Sequence, residues 1–330
     1  MARPDQPVLS VVVAIVSDTM DRADVSHLDP CLEALTKQAV AGGPIEILVP
    51  YHPSVDGIAR MRQKYPQVRF LEASRLATYT GQGGSREHHD ELRARGLAEA
   101  KGRIAALIED HGIVAADWSA RVLEAHDRGF AAIGGAIENG IDRPLNWAVY
   151  FCDFLRYQNP LPEGESAIAS DANVTYKRVA LESVRPVWKE IFHESAVNHA
   201  LWTRGEKVGL APRIVLYQHR LGLRFASALR ERYVWGRSYA ATRARLAGWP
   251  KRIFWTAFSP ALPVLMLARM TLMALRKRRT FGAYLKALPL TAALIASWSW
   301  GELTGYLTGR ANAAGTPAAE AIARGTHAVL

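Results

Sequence analysis

Arg103-Ile-Ala-Ala-Leu-Ile-Glu-Asp-His-Gly112 is the stretch on which the fold turns. Ile104 to Ile108 is a short unbroken apolar run, the pattern of a strand covered on both faces. It ends in Glu109, Asp110 and His111, three polar side chains able to bind a metal. Open α/β sheets bind their ligands in the crevice beyond the carboxyl ends of the strands, so this abrupt change marks a candidate site. The same residues also fit an ordinary polar turn between strand and helix, and the rest of the chain has to decide.

Upstream, Leu9-Ser-Val-Val-Val-Ala-Ile-Val16 is a β-branched run of buried-strand length, and Leu28 to Val40 follows with Leu32, Leu35 and Ala39 at helical spacing. Ile45 to Val49 reads as a second strand, Val55 to Lys64 as a helix, Val68 to Leu71 as a third strand and His88 to Ala100 as a helix that leads into the fourth strand. The alternation βαβαβαβ predicts an α/β fold with a mostly parallel sheet, right-handed crossovers and helices on both faces.

Downstream, Ala131 to Ile137 is a further strand in which Gly134-Gly135 allows close backbone approach. A loop past Asn159 to Gly164, helices over Lys177–Val184 and Glu194–Arg204, and a strand over Arg213–Tyr217 complete this part.

The chain has 330 residues, 49% hydrophobic and 22% charged, an ordinary globular balance with a formal net charge of +10. Such an excess calls for an anionic partner: nucleic acid, a nucleotide diphosphate or an anionic membrane surface. The excess is concentrated between Arg220 and Arg279, where Glu231 is the single acid and apolar stretches interleave with the basic ones. That interleaving fits a membrane surface and argues against nucleic acid. Two cysteines, Cys31 and Cys152, indicate neither a disulfide framework nor a cysteine metal site. The N-terminus runs directly into a strand and shows no signal-peptide pattern.

Ile253 to Leu275 is long enough to cross a bilayer, and Ala283 to Trp300 is similar, but they contain Pro260, Pro263, Arg269, Lys286 and Pro289. With the first part in the cytosol, two spans would place Arg276-Lys-Arg-Arg279 outside, against the positive-inside rule. Interfacial or re-entrant helices at the cytosolic face of the membrane are therefore preferred to true spans and to buried core helices, with Trp255, Trp298 and Trp300 at headgroup depth. This divides the chain into residues 1–222, a basic helical region over 223–252, apolar helices over 253–308 and a poorly ordered tail over 309–330.

Taken in order, Leu9–Val16, Ala94-Arg-Gly-Leu-Ala-Glu-Ala-Lys-Gly102, Glu109-Asp-His111, Asp117-Trp118, Asn173-Val-Thr-Tyr-Lys-Arg178, His193-Glu194 and Gln218-His219 resemble the family 2 glycosyltransferases of the GT-A fold. The resemblance covers about residues 8 to 245. It implies a nucleotide-sugar donor and a divalent cation, Mn2+ or Mg2+, held by an Asp-x-Asp motif whose place Glu109-Asp110-His111 takes. His111 in the third position favours a softer ion such as Mn2+. His219 matches a histidine that completes this site, giving Asp110, His111 and His219 as metal ligands. Glu194 takes the place of the catalytic base, with His193 beside it. Asn173 matches a residue of an acceptor-side loop, and Asp171 adjoins it. Arg232 to Tyr239, with Trp235 and Arg237, resembles a basic helix that closes over the donor diphosphate and rests on the membrane. The acids usual after the second strand are replaced by Pro50-Tyr51-His52-Pro53, so Tyr51 or His52 is expected to stack on the base and Asp18 to contact the nucleoside.

The implied activity is inverting transfer of a sugar from a nucleotide-diphosphate donor to a lipid-linked or surface-polysaccharide acceptor. A non-catalytic GT-A-like binding or assembly module on the membrane is the alternative. A nucleotidyltransferase would need a Gly-rich, Arg/Lys-bearing first loop that this chain lacks. Two smaller clusters are read as incidental: His88-His89-Asp90 as a solvated helix start, and Gly81-Gln-Gly-Gly84 as a loop without the strand–turn–helix context of a dinucleotide fingerprint.

Overall fold

The computed structural model describes residues 6–17, 24–39, 43–78, 86–246 and 248–310. Asp18, the Gly81–Gly84 stretch and the tail from residue 311 lie outside the described residues. The chain divides into two compact units, one formed by Met1–Glu138 with Asn159–His219, the other by Asn139–Gln158 with Arg220–Leu330.

The first is the sheet unit. Its strands are β1 (Leu9–Ala14), β2 (Ile45–Tyr51), β3 (Arg69–Glu72), β4 (Ile104–Glu109), β5 (Gly112–Val114), β6 (Ala132–Asn139), β7 (Gly164–Glu165), β8 (Asn173–Lys177) and β9 (Val208–Gln218). They form one sheet in the order β3-β2-β1-β4-β8-β6-β9-β5, with β7 on β9. The β1–β2, β1–β4 and β2–β3 pairs are parallel, as the βαβ alternation predicts. Beyond β4 the sheet turns antiparallel: β8 pairs with both β4 and β6, and β9 with β5 and β7. The sheet is therefore mixed. Its parallel half is the part in which every strand is followed by a crossover helix.

The helices of this unit are α1 (Leu28–Thr36), α2 (Ile58–Lys64), α3 (Arg86–Glu99) and α4 (Trp118–His126). The second unit contributes α5 (Pro144–Phe154), after which α6 (Arg178–Ser183), α7 (Arg185–Trp188) and α8 (Glu194–Thr203) again belong to the sheet unit. One core layer gathers Val12, Leu107, Val174 and Tyr176 from the sheet with Leu97 of α3, Leu181 of α6, Trp188 of α7 and Leu201 of α8. The opposite phase of β8 meets α4: Trp118 Nε1 donates to Asn173 Oδ1 at 3.0 Å, and His126 Nε2 lies 2.8 Å from Thr175 Oγ1. Both faces of the sheet are covered by helices, as a parallel sheet requires.

The sequence reading places a loop where β8 lies. Asn173 and Thr175 are wholly buried, yet their polar side chains bond to Trp118 and His126, so one face of the strand looks solvated in the sequence. β9 begins five residues before the expected Arg213 because its first half, Val208–Ala211, is buried. The close approach expected at Gly134-Gly135 is present: a Cβ on Gly135 would collide with Asn173 Nδ2 and the Ile214 carbonyl oxygen.

The second unit is helical. Besides α5 it holds α9 (Phe225–Leu246), α10 (Trp249–Phe258), a short turn over Ser259–Ala261, α11 (Leu262–Lys277) and α12 (Phe281–Thr308). Trp249–Lys277 and Phe281–Thr308 are two segments long and apolar enough to cross a membrane, and only 11% and 28% of their most apolar windows is buried. α12 lies against α9 through glycines. Added Cβ atoms at Gly236, Gly301 and Gly305 would strike the backbone of Trp298, Tyr233 and Arg237 respectively. Arg232 makes a bidentate pair with Asp153 of α5 at 2.5 Å, and Arg220 pairs with Glu231 at 3.0 Å.

Candidate functional site beyond strand four

β1 leads through β2 to β3 on one side, and the chain then returns as β4 on the other side of β1. At such a reversal the loops leaving two neighbouring strands diverge and open a crevice. Here those loops are Ile15–Ser17 and Asp110–His111. They are tied together: Asp110 N–H donates to the Ala14 carbonyl at 2.9 Å, Val16 N–H donates to Asp110 Oδ1 at 3.1 Å, and the Ser17 hydroxyl donates to Oδ2.

His111 lies between the two acids, Nδ1 at 3.3 Å from Asp110 Oδ1 and Nε2 at 3.2 Å from Glu109 Oε2. Burial opposes its charge, but the bonds to Asp110 and Glu109 prevail and raise the imidazole to about 9. The same bonds outweigh burial at Asp110 and Glu109 and hold both below the usual carboxylate range.

Glu109 also accepts from Arg93 Nη2 at 3.3 Å and from Gln218 Nε2 at 3.3 Å. Arg93, on α3 and 3% exposed, pairs in addition with Asp90 at 2.8 Å and Asp171 at 3.1 Å. Asp171 N–H donates to Glu194 Oε2 at 2.6 Å, at the first residue of α8. Burial disfavours the guanidinium charge, but Asp171, Asp90, Glu109 and Glu194 together keep it protonated. Arg93 thus links the β4 end to the segment before β8 and to α8, bringing Glu109, Asp171 and Glu194 into one network.

Arg93 is not singled out in the sequence reading, where Gln218 appears only beside His219 and Asp90 only in a helix start taken as solvated. His88, His89 and Asp90 are buried, correcting their reading as a solvated helix start. The available signal is Gly96, one helical turn after Arg93. A Cβ there would collide with Val12 Cγ1 and crowd Pro50, so the glycine lets α3 settle onto β1 and carries Arg93 below the surface.

The remaining expected residues are distributed as follows. His193 directly precedes α8, and its Nδ1 lies 3.0 Å from Ser195 Oγ. His219 reaches the site through its backbone, N–H to the His111 carbonyl at 2.7 Å, while burial lowers its half-buried imidazole. Asn173 is enclosed and uses its side chain on Trp118, Ala136 and Ile214, so it braces the sheet instead of lining an acceptor loop. Tyr51 is buried, its hydroxyl donating to Glu72 at 3.0 Å and accepting from Arg62 at 2.8 Å, with the Arg62 guanidinium 5.5 Å from the ring centre. That ring is already covered where a base would stack. His52 bonds to Ser54 and meets the His88 ring edge-on. Trp235 and Arg237 belong to the helical unit, where Arg232 lies over the Trp235 ring and Arg237 Nε donates to the Arg310 carbonyl.

Among the described residues no three His, Cys, Asp or Glu side chains are grouped as a metal ion requires. The carboxylates of Glu109 and Asp110 are bonded to Arg93, Gln218, His111, Val16 and Ser17, and His111 takes the place between them. In this arrangement Asp110, His111 and His219 do not fit a resident ion.

No family model and no curated protein matches the sequence. Among solved structures, the chain is similar to the mannosyltransferase PcManGT from Pyrobaculum calidifontis in complex with GDP-Man and Mn2+, at 17% identity over 99% of this chain and 83% of that one, with a TM-score of 0.44. It is also similar to S. aureus TarS 1-349 in complex with UDP-GlcNAc, at 11% identity over 89% of this chain and 92% of that one, with a TM-score of 0.45. Likenesses this distant carry no residue roles across, and the site is interpreted from its own geometry.

Proposed function

We propose that the chain is an inverting glycosyltransferase of the GT-A kind, moving a sugar from a nucleoside-diphosphate donor to a lipid-linked or surface-polysaccharide acceptor at the cytosolic face of a membrane. The observation that carries this reading is the Arg93-linked meeting of the Glu109 end of β4 with Asp171 and Glu194, beside the switch point of an α/β sheet. Direct inversion needs one carboxylate within hydrogen-bond reach of the acceptor hydroxyl. In this scheme Glu194 takes that proton as the acceptor oxygen bonds to the anomeric carbon. The bond from that carbon to the diphosphate breaks on the opposite face, and its electron pair leaves with the nucleoside diphosphate. The hydrogen bond from Asp171 N–H fixes one Glu194 oxygen and so sets the direction of the carboxylate.

Thermal melting of the full chain with UDP, GDP, ADP and CDP, each with Mn2+ and with EDTA, tests the donor class. A ligand present at about 100 times its dissociation constant stabilises by about 2.7 kcal/mol, so a cognate nucleotide stands out in the panel. If no nucleoside diphosphate raises the melting temperature under either condition, the reading fails.

One observation favours a second reading, a non-catalytic GT-A-like binding or assembly module: the carboxylates of Glu109 and Asp110 are engaged inside the protein. A chain that binds a nucleoside diphosphate yet releases none from any nucleotide sugar, with or without acceptor lipid, would be such a module.

A further inference from the structure

α9 and α12 run side by side in the same direction. The Ser297 hydroxyl donates to the Leu229 carbonyl, Gly301 abuts Tyr233, Gly305 abuts Arg237, and Arg237 bonds to the Arg310 carbonyl. α10 and α11 return alongside in the opposite sense, with Arg252 donating to the Tyr306 and Leu307 carbonyls at one end and Thr271 bonded to Tyr284 at the other. The loop after α11 is held at that second end, where Lys277 and Thr280 bond to Gln158.

This register bears on whether the apolar segments can cross a bilayer. The part of α12 ahead of Ser297 rises only about 24 Å at 1.5 Å per residue, short of the roughly 30 Å hydrocarbon core. A crossing that starts at Phe281 would therefore carry the turn from Ser297 to Trp300, and the stretch of α9 from Leu229 beside it, into the hydrocarbon. α9 brings Arg230, Arg232, Arg237 and Arg243 with the single acid Glu231. Arg230 is exposed and Arg237 half-exposed, so this side of the bundle needs water, while Arg243 is stacked on the Trp255 ring of α10.

The other side is different. Along α10 and α11 the exposed positions include Ile253, Phe254, Val264, Leu265 and Leu272, with Val264 at 73%. Between Lys251 and Arg276 the only charge on this outward stripe is Arg269, whose long side chain can reach the headgroups. Lys251 and Arg276 close its two ends, and the cluster Arg276 to Arg279 follows. An apolar stripe bordered only by cations is complementary to an anionic lipid surface.

We infer that the helical unit lies within one leaflet of an anionic membrane, the α10–α11 stripe toward the acyl chains and α9 toward water, and that none of its helices crosses. This deepens the membrane part of the proposed function and is independent of the transfer chemistry, since its tests read only topology and lipid binding.

Lys251 and Arg276 stand at opposite ends of the Trp249–Lys277 segment, so a crossing by this segment puts one of them outside whichever way it runs. In cells expressing the full chain with Lys251→Cys or Arg276→Cys, an impermeant maleimide should label neither from outside intact spheroplasts and both in inverted vesicles. The native Cys31 and Cys152 are buried or partly so, and the unsubstituted chain supplies their background. Labelling of either introduced cysteine from outside overturns the inference.

In parallel, the purified full chain should float with vesicles of phosphatidylcholine and phosphatidylglycerol. Val264→Asp with Leu272→Asp should lower the floated fraction at least fivefold without changing the melting temperature. Undiminished flotation overturns the assignment of the stripe to lipid. So does a wild-type dimer that the double variant breaks while flotation persists, because another copy then covers the stripe.

Discussion

At Arg93 a permanently charged guanidinium is held 3% exposed between Asp90, Glu109 and Asp171. Removing one member of a buried ionic network leaves the others desolvated and unpaired, at a cost of about 3–5 kcal/mol. Arg93→Ala should lose stability of that order in urea denaturation, and a loss below about 1 kcal/mol would mean that the three acids are compensated in another way. Glu194 is the opposite case, a residue at a helix start whose proposed role is chemical. Acids in the first turn of a helix are favoured by its dipole, and glutamine keeps the shape while losing the charge. Glu194→Gln is expected to lower turnover by roughly a hundred-fold or more with nucleoside-diphosphate binding unchanged. Comparison of steady-state rates with the binding isotherm checks this. Near wild-type turnover would transfer the role of base to another carboxylate, with Asp171 in the same network the first to examine.

Among the elements, β8 shows how much of this sheet depends on groups that do not look like core. Its Asn173 is saturated by Trp118 of α4, by Ala136 of β6 and by Ile214 of β9, so one side chain ties three elements together. That arrangement works because Gly135 leaves room for the amide. Gly135→Ala would place a Cβ against Asn173 Nδ2 and the Ile214 carbonyl oxygen, and backbone cannot give way as a flexible side chain can. Overpacking of this kind costs about 1–3 kcal/mol. The expected result is a melting temperature several degrees lower with circular dichroism unchanged, and an unaltered melt would show that the strands separate freely here. The same physics acts between α9 and α12, where glycines at 236, 301 and 305 bring two backbones together. Because of that seam, α12 is a structural partner of α9 and not a detachable anchor. Tyr284 and Tyr306 of α12 are fully buried.

For the whole molecule, the acid limb of stability is expected to depend on His126. It sits in the core of the sheet unit, and burial, assisted by the charge of Lys177, pushes its imidazole down to about 3. An unfolded chain would bind the proton near 6.5. Between these values the unfolded state holds more protons than the folded one, so the contribution is complete above about 6.5 and is lost as pH falls toward 3. The slope is at most about 1.4 kcal/mol per pH unit. Urea midpoints at pH 7 and pH 5 should therefore differ more in the wild type than in His126→Gln, and equal differences would remove His126 from the account.

Local pattern alone determined the parallel half of the sheet, the polar end of β4 that makes the candidate site, and the apolar, basic character of the C-terminal segments. These follow from apolar periodicity and from the rule that crevices open at strand carboxyl ends, both readable within short windows. Only the tertiary structure decided that β8 is a strand, that Asp90 and Arg93 are buried, that Tyr51 is already covered by Arg62, and that α9 runs beside α12. In each case a polar or small residue finds its partner far along the chain. Before that partner is in place, a histidine bonded to Thr175 or an arginine between three carboxylates has the same sequence signature as one facing water. Burial of a polar group becomes favourable only when its hydrogen bonds are supplied, and the fold alone specifies where they come from.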